Sequence, residues 1–433
     1  MKIRSRRNYA HFDTRVSMDD VWPYISNPTN IASHSFYPFI RYVRSYNKYN
    51  KSMGIKKKER ELCYSAHIDR CIFQFYSYKL NQIYNKRVRN DKISNSAIAY
   101  RDDLKKNNID FAKRAIDFIR KTGNCYIIVG DFTKFFDSLE HKYLKSMLNK
   151  LLGTTMLPAD YYAVYKNITR YSIWDMKSLL SLNGLPCNES GVSELNKRQR
   201  VLTSLQFKQH KKLYIEHHKK PFGIPQGSPI SAVLSNIYML DFDKAVNDYV
   251  TSNQGLYMRY SDDIIVVLPE ENVDTFKTHF SYLNGIMKEI PKLNLQPEKT
   301  QIYRFKDQCI INCNELVLAN VKNGKNSFDY LGFTFDGKVV VLRDKTLSKY
   351  YYRLYRKLKT IIKSNGRTKY GNRISSRNLY EKYSVKGANI GKGNFISYVR
   401  KAEKIFGKQE AISRGTKNHM QKIRRKLNTI KWQ

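Results

Sequence analysis

No run of 18 apolar residues occurs anywhere in the 433-residue chain. A membrane-spanning helix needs about 20 of them, so none is expected. No apolar segment follows the basic N-terminus, and no secretion signal is read there. Cysteine is scarce. Cys63, Cys71, Cys125, Cys187, Cys309 and Cys313 are scattered, and only the last two lie close together. No second His/Cys pair stands at ligand spacing to complete a zinc site with them. The thiols are expected to be reduced and the protein cytoplasmic, neither secreted nor membrane-spanning. Acidic residues are the most telling shortage. There are 37 Asp and Glu against 78 Lys and Arg, a net charge of +41 spread from end to end.

A self-repelling charge of this size needs a polyanion to neutralise it. Nucleic acid is the first candidate and an anionic membrane surface the second. The chain also carries 33 Tyr and 21 Phe interleaved with the basic residues. Aromatic rings beside cations are the composition of single-strand binding, where bases stack and phosphates pair. Many of the same rings will be core. A chain of this length can bury two or three subdomains.

The stretch that organises the rest is Met258-Arg259-Tyr260-Ser261-Asp262-Asp263-Ile264-Ile265-Val266-Val267. The β-branched run after the two acids reads as a strand, and residues 255–260 read as another. Ser261-Asp262-Asp263 then sits at a hairpin tip. Adjacent charges there repel. Either they form a solvated turn, or they hold a divalent cation, since hard cations take carboxylate oxygens.

Along the chain, residues 1–60 are basic and aromatic, with Pro23, Pro28 and Pro38 breaking any long helix. Residues 41–58 are either a flexible basic arm or a template-facing surface. Residues 59–90 read as helix from the spacing of Ile68, Cys71, Ile72, Phe75, Tyr76, Leu80 and Ile83. Residues 96–101 are a short strand-like piece ending on Arg101, and 109–121 a helix. Residues 125–131 form a buried strand ending on Asp131. A carboxylate there is costly unless paired or metal-bound, so Asp131 is the natural third acid for the hairpin. Asp137-Ser138-Leu139-Glu140 has capping-box spacing, with Asp137 starting a helix to about residue 151. Residues 152–220 look irregular and basic, a connection carrying nucleic-acid contacts. Residues 221–231 are a Gly/Pro loop entering a helix. Gly223 and Gly227 allow close backbone approach, and the helix start favours an anion. A helix at 276–290, a loop with Lys299, and a Phe-rich hairpin at 328–341 follow. The chain turns helical and cationic from 345, with a boundary near 342.

In this order the motifs resemble bacterial reverse transcriptases. The match covers roughly residues 95–340. Asp131 to Phe136 looks like the first catalytic motif, and Gly223 to Ser231 the second. Tyr260-Ser261-Asp262-Asp263 resembles the Tyr-x-Asp-Asp box, with Ser261 where Ala is commoner. Residues 295–300 are similar to the next motif, and Tyr330-Leu331-Gly332-Phe333 to the primer-grip hairpin. The resemblance implies an α+β right-hand polymerase. Its palm would be a ferredoxin-like split βαβ unit with the Asp-Asp hairpin, followed by a basic helical thumb-like subdomain. Residues 1–95 would be an extension and part of the fingers, 96–342 fingers and palm, and 343–433 the thumb.

It also implies site roles. Asp131, Asp262 and Asp263 would be catalytic and bind two Mg²⁺, with Mn²⁺ as an alternative. Phe136 would be the gate against a 2′-hydroxyl. Gln226, Arg101 and Lys299 would contact the incoming nucleotide. Gly227, Tyr260, Leu331 and Gly332 would support the motifs. RNA template, DNA product and dNTPs would be the partners, together with a companion reverse transcriptase or a second copy of the chain, and no membrane. No ribonuclease H, endonuclease or maturase domain is expected in residues 343–433. Residues 60–69 and 98–101 resemble the defence-associated, abortive-infection-related group of these enzymes, including the smaller enzyme of the type 3 anti-phage system. That implies phage defence with a dedicated noncoding RNA template. A retron- or intron-type enzyme, or a catalytically retired RNA-binding scaffold, are the alternative readings.

Overall fold

The computed structural model describes residues 7–50, 54–318, 320–367, 371, 374 and 377–429. The first residues of the basic N-terminal extension and the last of the basic tail lie outside them. Twelve strands are assigned: β1 (Phe39–Asn50), β2 (Gly54–Tyr64), β3 (Cys125–Asp131), β4 (Ser172–Asp175), β5 (Glu216–His217) and β6 (Leu256–Tyr260), then β7 (Asp263–Pro269), β8 (Gln301–Lys306), β9 (Cys309–Asn312), β10 (Phe328–Tyr330), β11 (Phe333–Phe335) and β12 (Val340–Leu342). They form a five-stranded sheet ordered β6-β7-β3-β8-β9, a four-stranded sheet β2-β1-β4-β5, and a three-stranded sheet β10-β11-β12.

The five-stranded sheet positions the acids. Its central strand, β3, is antiparallel to both β7 and β8. Successive side chains point to opposite faces, and both faces are covered. Tyr126, Ile128, Ile264, Val266 and Ile302 pack into one core. Helices Ser231–Tyr238, Leu240–Ser252 and Val273–Lys288 also contribute to that core. Ile127, Ile265, Val267, Tyr303 and Phe305 face the other, against helix Asn108–Thr122, the β10-β11-β12 sheet and helix Phe395–Phe406. A strand buried on both faces is apolar throughout rather than alternating. That is why Ile264 to Val267 is unbroken by polar residues.

Several local expectations are revised. The helix expected from residue 59 begins at His67, and residues 54–64 are instead β2, paired with β1 over its whole length. The ribbon's solvent-facing Lys, Tyr and Glu carry no apolar period, so residues 41–58 fit a flexible arm and a template-facing surface equally in sequence. Residues 96–101 form no strand; only a bridge from Ala97 to Arg259 joins them to β6. Glu140, not Asp137, caps helix His141–Leu152, accepting from the Tyr143 N–H at 2.6 Å. The 152–220 segment is regular. It contains helices Ala159–Thr169, Met176–Leu182, Glu189–Leu195 and Ser204–Tyr214. Its β4 pairs in parallel with β1 at Phe39 to Arg41, and Trp174, Leu179 and Leu195 share a core with Ala10, Phe12 and Ile40. Beyond β12, helix Asp344–Lys363 buries Tyr350, Leu354, Leu358 and Ile361 in a separate apolar cluster. No helix among the described residues is long and apolar enough to cross a membrane.

Candidate active site

β3 ends on Asp131 and β7 begins on Asp263, and their register places the two residues opposite each other. Tyr260 pairs with Asp263 across a two-residue turn, in which Ser261 adopts φ +63°. The Asp262 carbonyl accepts from the Phe132 N–H at 3.1 Å, which ties the turn to the end of β3. Three acids therefore meet at one end of the sheet. Burial, then repulsion from Asp262 and Asp131, pushes the Asp263 carboxyl up to about 7. Asp262 is raised by burial and by Asp131. Lys299 and Arg343 act in the opposite direction on Asp263. Lys299 ends the 3₁₀ turn Pro297–Lys299, and its Nζ lies 2.6 Å from Asp131 Oδ2. The Gln296 N–H donates to the Asp131 carbonyl at 2.8 Å and holds that turn against β3.

Behind the turn lies a buried network that sequence reasoning missed. The Arg259 side chain is 1% exposed and Asp243 is 0%. Arg259 Nε and Nη2 donate to the two Asp243 carboxylate oxygens at 2.7 and 2.6 Å. Its Nη1 donates to the Ser261 carbonyl at 2.9 Å. Tyr257 also donates to Asp243, at 2.7 Å. Burial alone would weaken the guanidinium's charge, but Asp243 outweighs it and holds Arg259 protonated. Asn236 Nδ2 donates to the Ala99 carbonyl at 2.9 Å, fixing the 96–101 segment to the same helix pair. The available signal was an Arg inside an apolar strand, since a buried cation demands a carboxylate partner.

The Gly/Pro loop is clamped to β2. The Cys63 N–H donates to the Gln226 carbonyl at 2.8 Å. Gly227 has φ +114°, and a Cβ there would lie 2.4 Å from the Cys63 carbonyl oxygen. Glycine is required by both conformation and space. The Gln226 side chain bonds Asp137, whose carboxyl burial raises. The Ile224 N–H donates to the Phe136 carbonyl at 3.0 Å, so Phe136 and Gln226 belong to one joined surface. The Phe136 ring is half-buried against the main core.

Arg101 is not displayed. Its side chain is 0% exposed, and it donates to Asn85, Asp103, the Ser94 hydroxyl and the Ser94 and Ala97 carbonyls. A guanidinium satisfied in this way braces its own loop and has no free donors for a triphosphate. The strand that reaches the Gly/Pro loop is β2; Lys57 on one face pairs with Glu59, and Lys58 and Arg60 are exposed on the other. They share one ribbon face with Tyr46, Arg44 and Tyr42.

Leu331 (φ +45°) and Gly332 (φ +97°) make the two-residue turn between β10 and β11. Both central residues at positive φ is the pattern that matches strand twist. Asn108 donates to the Leu331 carbonyl at 2.9 Å, and the Arg343 N–H to Gly332 at 3.0 Å. Tyr330, buried beside this turn, has its phenol raised by burial and by Asp263. The turn thus reaches the neighbourhood of the acids.

Residues 193–335 match the family model of reverse transcriptase (RNA-dependent DNA polymerase). This supports an RNA-directed DNA polymerase. The matched segment holds Gln226, Gly227, Tyr260, Asp262, Asp263, Lys299, Leu331 and Gly332, but begins after Asp131 and Phe136. No curated protein matches the sequence. Among solved structures the chain is similar to apo telomerase from Candida tropicalis truncated from its C-terminal domain, at 14% identity and TM-score 0.42. That alignment covers 74% of this chain and 59% of the telomerase. It is also similar to telomerases from Candida albicans and Candida tropicalis in complex with a TWJ fragment of telomeric RNA. Identities there are 11% and 13%, both with TM-score 0.42. The alignments cover 94% and 96% of this chain, and 65% and 66% of those chains. The chain spans less than two thirds of the length of each telomerase.

Among the described residues, no three His, Cys, Asp or Glu side chains are drawn together as a metal cage. Asp131 is engaged by Lys299 instead. The donor chemistry nevertheless fits a hard divalent cation, since the acids at this end of the sheet offer only carboxylate oxygens, and burial and repulsion raise Asp262 and Asp263.

Proposed function

We propose that the chain is an RNA-directed DNA polymerase, with fingers and palm drawn from residues 1–342 and a thumb from 343–433. The observation that carries the reading is the register of Asp131 against Asp263 beside the Asp262 turn, within a chain whose 193–335 segment matches reverse transcriptases. Asp131, Asp262 and Asp263 would hold two Mg²⁺. When bound, the metals supply charge neutralisation and an activated 3′-hydroxyl for in-line nucleotidyl transfer.

The chain's own residues do the positioning. Arg259, fixed by Asp243, holds the Ser261 carbonyl and so the path of the acid-bearing turn. Phe136 closes the sugar pocket against a 2′-hydroxyl. Gln226, steadied by Asp137, orients the nucleotide, and Lys58 and Arg60 offer cations to its phosphates. Lys299 places its Nζ 2.6 Å from Asp131 Oδ2. Leu331 and Gly332 shape the turn on which the primer terminus rests.

Primer extension on an RNA template with dNTPs tests this. Wild type should incorporate dNTPs, and Asp262→Ala/Asp263→Ala should fall to the no-enzyme background. Equal signals from both would refute the chemistry. The resemblance of residues 60–69 and 98–101 to defence-associated enzymes supports a cytoplasmic anti-phage role. The template would be a dedicated noncoding RNA and the partner a companion enzyme or second copy. Sequencing the nucleic acid that co-purifies with the protein checks this, and a branched RNA–DNA product or a self-splicing intron would replace it.

A further inference from the structure

A second cationic recess lies at the β6 edge of the five-stranded sheet. It is a cleft of about 900 Å³ between helix Asn108–Thr122 and the end of helix Leu240–Ser252. Its size suits a small or mid-sized organic ligand, since such sites run from about 300 to about 1,000 Å³. It is lined by five basic and three acidic side chains. The acids are already engaged. Asp110 accepts from the Asn107 N–H at 2.9 Å, Asp117 from Lys113 at 2.5 Å, and Asp248 from Lys244 at 2.7 Å. Lys92, Lys106 and Lys121 are exposed and make no ion pair among the described residues. Three cations with no protein anion face one hollow.

The floor of the cleft is the outer edge of β6, the terminal strand of its sheet. Arg259 turns its N–H and C=O outward there, bonding the Ser96 carbonyl at 2.8 Å and the Ile98 N–H at 3.1 Å. Backbone groups two residues apart on a strand share an edge, so Tyr257 presents its N–H and C=O beside them. Nothing among the described residues bonds either group. At the other end Gly255 is tied to the Val250 carbonyl at 2.8 Å. The Tyr257 main chain thus lies unpaired between Arg259, whose two groups are taken, and Gly255, whose N–H is taken. It is a donor and an acceptor side by side, with Leu256 and Phe118 as apolar neighbours. Buried or half-buried main-chain groups normally find partners.

We propose that this cleft binds a phosphorylated nucleoside, its base paired to the Tyr257 main-chain edge and its phosphates held by Lys92, Lys106 and Lys121. A nucleobase supplies the planar donor–acceptor edge that one residue's N–H and C=O complement. The lysines supply charge-assisted contacts to phosphate oxygens. The ligand is either a free nucleotide or one nucleotide of a single strand crossing this side of the molecule. The site is separate from the acids of the β6–β7 turn, so it does not depend on the polymerase reading.

The test is photolabelling of the full chain with 8-azido-ATP and with 4-thio-UTP, followed by peptide mapping. Label should fall on peptides containing Phe118 to Lys121 and Leu256 to Tyr257. It should persist in Asp262→Asn/Asp263→Asn. It should drop at least about tenfold in Lys106→Glu/Lys121→Glu, which removes two phosphate contacts. That variant should keep the wild-type melting temperature and its primer extension. A short RNA that displaces label better than ATP identifies the strand as the source; ATP displacing better identifies the free nucleotide. Label confined to peptides around Gln226 and Lys299, or undiminished by the charge reversal, overturns the proposal. Primer extension on the same samples reports separately on the polymerase reading.

Discussion

Asp263 is the residue at which stability and chemistry meet. Its carboxyl is raised from 3.8 to about 7 by burial and by the two neighbouring acids. Between those values the folded chain keeps a proton that the unfolded chain has released. Stability is therefore greatest below the lower value and falls as pH rises through the upper one. In EDTA, the thermal midpoint should decline from about pH 4 to about pH 7 and level off above it, and Asp263→Asn should flatten that decline. Identical slopes for the two proteins would show that the carboxyl is not strained. Mg²⁺ should raise the wild-type midpoint most at the alkaline end, where the acids are ionised. The acids were legible as residues because the chain places two of them in an apolar hairpin. The counter-ions were less so. Arg101 was read as a ligand contact and is a loop brace, while Arg259, unremarked, holds the turn. What separates them is whether partners 16 residues away (Asp243) or close by (Asp103) absorb the charge, and a linear pattern does not display that.

Elements whose apolar period is strong were legible: the strands flanking the Asp pair, helix Asn108–Thr122, and the hairpin around Leu331 and Gly332. The β1–β2 ribbon was not, because its pairing is made by backbone while its side chains face water. Two of the 152–220 helices have only seven residues, too few turns for a period to register, and Ser204–Tyr214 buries no residue at all. The joint between elements is more informative than either side alone. Arg259 on β6 and Asp243 on helix Leu240–Ser252 couple the strand to the second helix after the Gly/Pro loop. Arg259→Met alone leaves Asp243 buried without its cation and should cost about 3–5 kcal/mol in urea unfolding. The double change Arg259→Met/Asp243→Leu should recover most of that loss while still lowering primer extension, because the Ser261 carbonyl has lost its donor. If the single and double variants were equally unstable, the pair would not be the link.

At the scale of the whole molecule, the charge of +41 dominates. Binding to single-stranded RNA should weaken on the order of 10³-fold between about 50 and about 200 mM salt, as bound counterions are released from the strand. Fluorescence anisotropy across that range measures it, and a flat response would remove the reading of the charge as a nucleic-acid surface. Which surface the strand follows was not legible in a composition so uniformly basic. The fold narrows it by spending some cations internally: Arg101, Arg259 and Lys299 each sit on a carboxylate.

The last of these has a consequence for how the site is loaded. Because Lys299 neutralises Asp131 at 2.6 Å, the resting site carries its own counter-ion. On the proposed reading, admission of a divalent cation would be an exchange of one positive charge for another. The displaced ammonium would stay tethered nearby, free to meet a polyphosphate. One side chain would then serve as a placeholder first and as a phosphate partner second. Occupancy should accordingly follow the competition between magnesium and lysine, so that Lys299→Ala loads metal at lower concentration yet turns over more slowly.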